Sequence, residues 1–180
     1  VDAVILQIDD SSSAEETRRM AASGLPLVFV NSAPSTDQST VVFDDEAAAE
    51  LAAGHLIELG HKRIGFVGGL PTTDTAVRRR AGFERAMAQA GLALDSQTIT
   101  ELGYRPAQGA EALGAILAAD ARPTALLVAN INAALGLLIE ARERGLSIPE
   151  DLSVIAIHDA WTAEIVWRPL TTVRLPWLEL

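Results

Sequence analysis

Short aliphatic runs alternate along the chain with longer Ala-rich segments whose apolar residues recur at helical spacing, which predicts strand followed by helix, repeated. Strands are predicted at Ala3 to Ile8, Leu27 to Val30, Arg63 to Val67, Ile99 to Leu102, Ala125 to Ala129 and Ser153 to Ile157. Most are continuous β-branched or aliphatic runs, the pattern of strands covered by helices on both faces. Helices are predicted at Ala14 to Ser23, Glu46 to Leu59, Thr75 to Ala90, Ala107 to Ala119, Ala133 to Arg144 and Trp161 to Val166. Ser12-x-x-Glu15 has the spacing of a capping box, and Gly24, Gly60, Gly91 and Gly145 stand where helix C-terminal glycines belong. The expected class is α/β with right-handed crossovers and a mostly parallel sheet.

With 180 residues, 49% hydrophobic and 21% charged, the chain is able to bury a substantial core, which excludes a disordered tail. Its apolar runs are broken well short of the roughly 18 residues that a membrane span requires. No basic and apolar export signal opens it, so a soluble, cytoplasmic protein with no membrane partner is expected. The absence of cysteine excludes disulfides, thiolate metal sites and a cysteine nucleophile. The 14 basic and 24 acidic side chains leave a net charge of −10, which repels polyphosphate, so this stretch alone is not expected to bind DNA. Only two strong βα units precede Asp44, too few to complete a sheet, and a fragment of a larger protein is expected.

Ligands of open parallel sheets bind beyond the carboxyl ends of the strands. The residues there are polar: Gln7 and Asp9, Asn31, Thr72 to Asp74, Tyr104, Asn130, then His158-Asp159. Taken singly they are ordinary loop residues and helix caps; together they would converge on one crevice. Arg78-Arg79-Arg80 opens a helix, where the dipole disfavours cations. The three point in different directions, so one is placed to face the crevice, and a solvated surface run is the alternative. No G-x-S-x-G occurs, Gly65-x-x-Gly68-Gly69 is not a dinucleotide fingerprint, and there is no P-loop lysine. His55 and His61 lie on different faces and are read as structural, while Asp44-Asp45-Glu46 is read as a helix cap. No catalytic activity, metal or cofactor is expected.

Four segments carry a resemblance. They are His55-Leu56-Ile57-Glu58-Leu59-Gly60-His61-Lys62-Arg63-Ile64-Gly65-Phe66-Val67-Gly68-Gly69, then Arg79-x-x-Gly82-Phe83, then Ile148-Pro149-Glu150-Asp151-Leu152-Ser153-Val154-Ile155, and Pro169-Leu170-Thr171-Thr172-Val173-Arg174. In order and spacing the chain resembles the effector-binding core of LacI/GalR-type bacterial transcriptional regulators.

That resemblance implies a periplasmic-binding-protein-like fold of two Rossmann-like subdomains with parallel sheets, the N-terminal one incomplete here. Residues 1–43 would belong to the N-terminal subdomain and 44–170 to the C-terminal, effector-binding one, with 171–180 crossing back. It implies a small-molecule effector, a sugar or related metabolite, between the subdomains. It further implies operator DNA bound through an N-terminal helix-turn-helix outside this stretch, and a homodimer, with Ala134, Leu135 and Leu138 as candidate contacts. Carried over singly, Asn31, Thr75, Arg79, Tyr104, Asn130, His158 and Asp159 are the candidate ligand-binding residues, with Arg79 the strongest contributor. Ile131 and His158 each replace an Asp usual in the family. A protonated His158 beside Arg79, with Tyr104 and one or more of Trp161, Trp167 and Trp177 as aromatic walls, would favour an anionic or partly aromatic ligand. A sugar-transport solute-binding protein and an α/β enzyme are the competing classes.

Overall fold

The structure, a computed structural model, describes residues 2–8, 14–34, 37–165 and 169–176. Ser12 of the expected capping box, Asp9, Trp167 and Trp177 fall outside them.

The first three strands, β1 (Val4–Leu6), β2 (Leu27–Val30) and β3 (Ser39–Val41), form a parallel sheet in that order, with α1 (Ala14–Ala21) between β1 and β2. A second parallel sheet has the order β5-β4-β6-β7-β8, built from β4 (Ile64–Gly68), β5 (Ile99–Glu101), β6 (Ala125–Val128), β7 (Ser153–Ile157) and β8 (Thr171–Val173). Its helices are α2 (Asp45–Glu58), α3 (Asp74–Gln89), α4 (Pro106–Leu117), α5 (Ile131–Glu143) and the short α6 (Thr162–Ile165). The architecture is the expected parallel α/β one.

Alternation along the central strands divides the second sheet's core into two layers. Ile64 and Phe66 of β4 with Ala125 and Leu127 of β6 face α2 and α3, where Phe66 stacks on Phe83 with ring centroids 5.0 Å apart. Val67, Leu126 and Val128 face α4 and α5. Burial on both faces is why these strands read as unbroken apolar runs. Gly82 lets α2 and α3 close, since a Cβ there would collide with the backbone carbonyl of Glu46. Gly24, Gly60, Gly91 and Gly145 all adopt positive φ, as expected of residues that end helices.

At three places the structure departs from or adds to the sequence reading. Thr171–Val173 does not cross back toward the first sheet; it pairs parallel with β7 as the edge of the second, its Val173 buried in the core. β3 escaped the sequence reading because all three of its residues are exposed, leaving no buried face to pattern it. Ala134 and Leu138 are buried in the layer between α5 and the sheet, and Leu135 is half-buried, so the apolar spacing that marked them as a dimer contact is that of a core-facing helix. Among the described residues no helix is long and apolar enough to cross a membrane, and no cluster of His, Asp and Glu is placed to hold a metal.

Candidate functional site

In the second sheet the chain order reverses between β4 and β6, and at such a switch point the loops leaving adjacent strands diverge and open a crevice. A cavity of about 360 Å³ lies there, closed on its other side by Gln7, Ile8 and Asn31 from the first sheet. Six of the seven expected residues line it: Asn31 after β2, Thr75 and Arg79 on α3, Tyr104 after β5, Asn130 after β6 and His158 after β7. Asp159 does not; its carboxylate accepts from Arg174 Nε at 2.7 Å. Trp161 is 72% exposed and forms no wall of this cavity. A wider groove of about 560 Å³ lies against α1 and the end of β1, lined by residues of the first sheet's unit alone, and holds none of the expected set.

Arg79 is the best-anchored side chain of the site, only 1% exposed. Its Nε donates to Asp45 Oδ1 at 2.7 Å, Nη1 to the Ala129 carbonyl at 2.6 Å, and Nη2 lies 2.9 Å from His158 Nε2. The guanidinium also sits 5.6 Å from the centroid of the Tyr104 ring, against which Gly69 packs so closely that any side chain there would strike the ring. Arg78 is turned away: Nε and Nη2 donate to Asp74 Oδ2 at 3.1 and 2.8 Å, and Nη1 donates to the Phe43 carbonyl at 2.6 Å. The same Nη1 lies 2.8 Å from Asp45 Oδ2, paired by charge rather than by an aligned hydrogen bond. Arg80 pairs with Glu84 and Glu101 outside the crevice. Each cation at this helix start is thus met by carboxylate, which offsets the unfavourable dipole.

Asp45 is the residue that sequence reading assigned wrongly. Asp44 alone caps α2, accepting the Ala47 N–H at 2.9 Å. Asp45, one step inside the helix, is fully buried and turned to Arg78 and Arg79. The available signal was the conjunction of two adjacent carboxylates with three adjacent arginines, of which only one carboxylate is needed as a cap. Asp74, named among the polar residues beyond the strand ends but not carried into the candidate set, accepts the Ala33 N–H on Oδ2 at 3.0 Å, joining the loop after β2 to α3 across the seam between the sheets.

The expectation of a protonated His158 is overturned. Burial, and secondarily the positive charge of Arg79, lower its pKa from 6.5 to about 3. The ring is neutral throughout the physiological range and offers an anion no charge. His158 and Asn31 also share a backbone feature, φ of +78° and +56°, the only two non-glycine residues in the left-handed region among those described. Asparagine tolerates that region and histidine less so, and strain of this kind collects at binding sites. Asn31 Oδ1 is buried with no hydrogen-bond partner, an acceptor left facing the crevice side of the first sheet.

Two facing sheets with an enclosed polar crevice, and no catalytic constellation among the described residues, define a two-lobed ligand-binding protein. Residues 53–180 match the family described as periplasmic binding protein-like domain. Over 160 residues, 88% of this chain and 47% of the other, the sequence is 36% identical to the HTH-type transcriptional repressor PurR of Haemophilus influenzae. It is 33% identical over 182 residues to catabolite control protein A of Priestia megaterium, covering 100% of this chain and 54% of that protein. The crystal structure of a LacI family transcriptional regulator from Mycobacterium smegmatis superposes with a TM-score of 0.95 at 36% identity, over 99% of this chain and 66% of that one. A sugar-binding LacI-family regulator from Escherichia coli, complexed with phosphate, superposes at 0.83 with 31% identity, over 99% and 64%. The chain belongs to the LacI family of transcriptional regulators, as their periplasmic-binding-protein-like effector-binding core. It spans about half the length of the curated relatives it matches, which are repressors and control proteins rather than enzymes.

Proposed function

We propose that this chain senses a small-molecule effector in the crevice between its two sheets and thereby controls operator binding by a cytoplasmic, homodimeric regulator. The observation that carries the reading is the single cavity wall assembled from both sheets, Asn31 and Gln7 on one side and Thr75, Tyr104, Asn130 and His158 on the other. A ligand touching both sides favours one relative orientation of the lobes over another, and two-fold symmetry then converts that orientation into the spacing of two DNA-binding heads. Residues 1–43 form one lobe and the second sheet with its helices, through Val173, forms the other. Asn31, Thr75, Tyr104, Asn130 and His158 touch the effector, while Arg79 holds the floor beneath them. Asp159, tied to Arg174, belongs to the rim.

The relatives' names bear on the ligand only in kind, since one solved neighbour is described as sugar-binding and was crystallised with phosphate. Operator titration of the full-length protein, with metabolites added in turn, tests the function. A metabolite that changes operator affinity in the native protein and not in Asn130→Ala supports it; one that acts equally in both places the effector elsewhere. Monomer alone in sedimentation of the full-length protein contradicts the dimer.

A further inference from the structure

α3 begins with Asp74, where the helix dipole favours a carboxylate, and Arg78 follows one turn later on the same face. Arg78 donates through Nε and Nη2 to Asp74 Oδ2 at 3.1 and 2.8 Å, which holds that oxygen in place. The same oxygen accepts the Ala33 N–H at 3.0 Å. Ala33 belongs to the loop after β2 and so to the first lobe, whereas α3 is fastened to α2 by the Asp45–Arg79 pair and by the close approach at Gly82. One carboxylate oxygen therefore bridges the two lobes.

The chain passes from the first lobe to the second at Val42. Val41 ends β3, paired with Val30, and its carbonyl accepts the Asn31 N–H at 2.8 Å. Phe43 is buried in the core of the second sheet, and its carbonyl accepts from Arg78 Nη1 at 2.6 Å. Val42 lies between them, outside any strand or helix and 38% exposed. Hinges of domain closure are residues of this kind, at the end of an element, where the backbone can absorb the change. A rotation about Val42 leaves Arg78 and Phe43 together, because both move with the second lobe. It carries Ala33 away from Asp74, because those two do not. Arg78 thus anchors the hinge, and the bond from Ala33 to Asp74 is one that the rotation breaks.

Thr73 and Thr75, on either side of Asp74, line the cavity, and so does Asn31, two residues before Ala33. Asp74 and Arg78 do not line it. Parting Ala33 from Asp74 therefore separates the two walls that an effector bridges.

We propose that the Ala33–Asp74 hydrogen bond, with Asp74 oriented by Arg78, is a latch that holds the two lobes in their present orientation about a hinge at Val42. Asp74 and Arg78 are positioning residues for the effector response. A hydrogen bond to a charged acceptor shifts the balance between two orientations by about tenfold or more, which a ligand with differential affinity is able to override. The consequence for operator binding rests on the reading that lobe orientation sets the spacing of the DNA-binding heads.

The test uses the full-length protein with no effector added. Spin labels are attached at Glu15→Cys on α1 and Ala107→Cys on α4, both exposed, in a background without other cysteines, and labelled protein is exchanged into an excess of unlabelled protein. The distance between labels is expected to lengthen beyond the native distribution in Asp74→Ala. It is expected to stay within that distribution in Asp74→Asn, which keeps an oxygen for the Ala33 N–H. Operator affinity is expected to change about fivefold or more in Asp74→Ala and little in Asp74→Asn. A merely structural role would lower the unfolding midpoint and leave the distance as it was. A distance unchanged in Asp74→Ala, or lengthened as much in Asp74→Asn, overturns the latch and leaves the crevice as the effector site. A longer distance with unaltered operator affinity supports the latch and overturns the link between lobe orientation and the operator. Should Asp74→Ala not fold, Asp74→Ser, whose hydroxyl is too short to reach Ala33, takes its place.

Discussion

Asp45 of α2 and Arg79 of α3 meet through two contacts of 2.7 Å, with neither side chain reaching solvent. The pair is what lets a guanidinium sit beneath the crevice without a ligand, because Asp45 supplies the countercharge that burial demands. It also ends a polar chain that runs from Ala33 through Asp74 and Arg78 to Asp45 and Arg79, linking the seam between the sheets to the cavity floor.

Removing one member of such a pair strands the other as an uncompensated buried ion. Asp45→Ala is expected to destabilise the protein by about 3–5 kcal/mol. Asp159→Ala breaks a pair whose arginine is largely exposed and is expected to cost under about 1 kcal/mol. Urea unfolding of the two variants makes the comparison; equal losses would show that the buried pair adds nothing.

Gly82→Ala places a methyl group against the Glu46 carbonyl, which is backbone and yields only if α2 and α3 separate. Overpacking of this kind costs about 1–3 kcal/mol. Thermal unfolding is expected to show that loss, whereas Gly54→Ala, with open space around it, should be neutral or slightly stabilising.

Protonation of His158 opposes folding, because its pKa is about 3 in the native state against 6.5 for the free side chain. The unfolded chain binds more protons between those values, so the contribution is fully present above about pH 6.5 and is lost progressively as pH falls toward 3. From pH 7.5 to 5.5 the loss is expected to be about 1 kcal/mol. The difference between native protein and His158→Asn across that window isolates it from other titrating groups. A difference that stays constant with pH contradicts the assignment.

Asp74→Ala removes the only hydrogen bond described between the Ala33 amide and α3. Exchange of the Ala33 amide proton is expected to accelerate about tenfold or more, as for loss of a hydrogen bond to a charged group. Unchanged exchange would mean that the seam is held by other contacts.

How much of this was legible beforehand differs by element. β2 and β7 were bounded to the residue, because an apolar run between turn signals identifies a strand covered on both faces. β3 and β8 were missed: β3 is exposed at every position and β8 buries only Val173, and both are Ser/Thr-rich where the equally short edge strand β1 is all aliphatic. Six residues that line the cavity were named beforehand, from the rule that ligands sit beyond strand carboxyl ends, from the arginine run that opens α3 and from family resemblance. Ala134 and Leu138 show the converse, since apolar helical spacing records that a face is buried and not what buries it.

The sequence by itself determined the α/β class, the order of most elements, the family and the positions that ring the crevice, because periodicity, turn chemistry and loop polarity are local and written residue by residue. Only the tertiary structure decided the state of the charged and titratable groups. Asp45 and Arg79 are 34 residues apart and Arg79 and His158 are 79 apart, so no window of sequence contains the partners. Protonation follows from burial and from charges a few ångströms away, quantities that come into being only when α2, α3 and the ends of β6 and β7 have packed together.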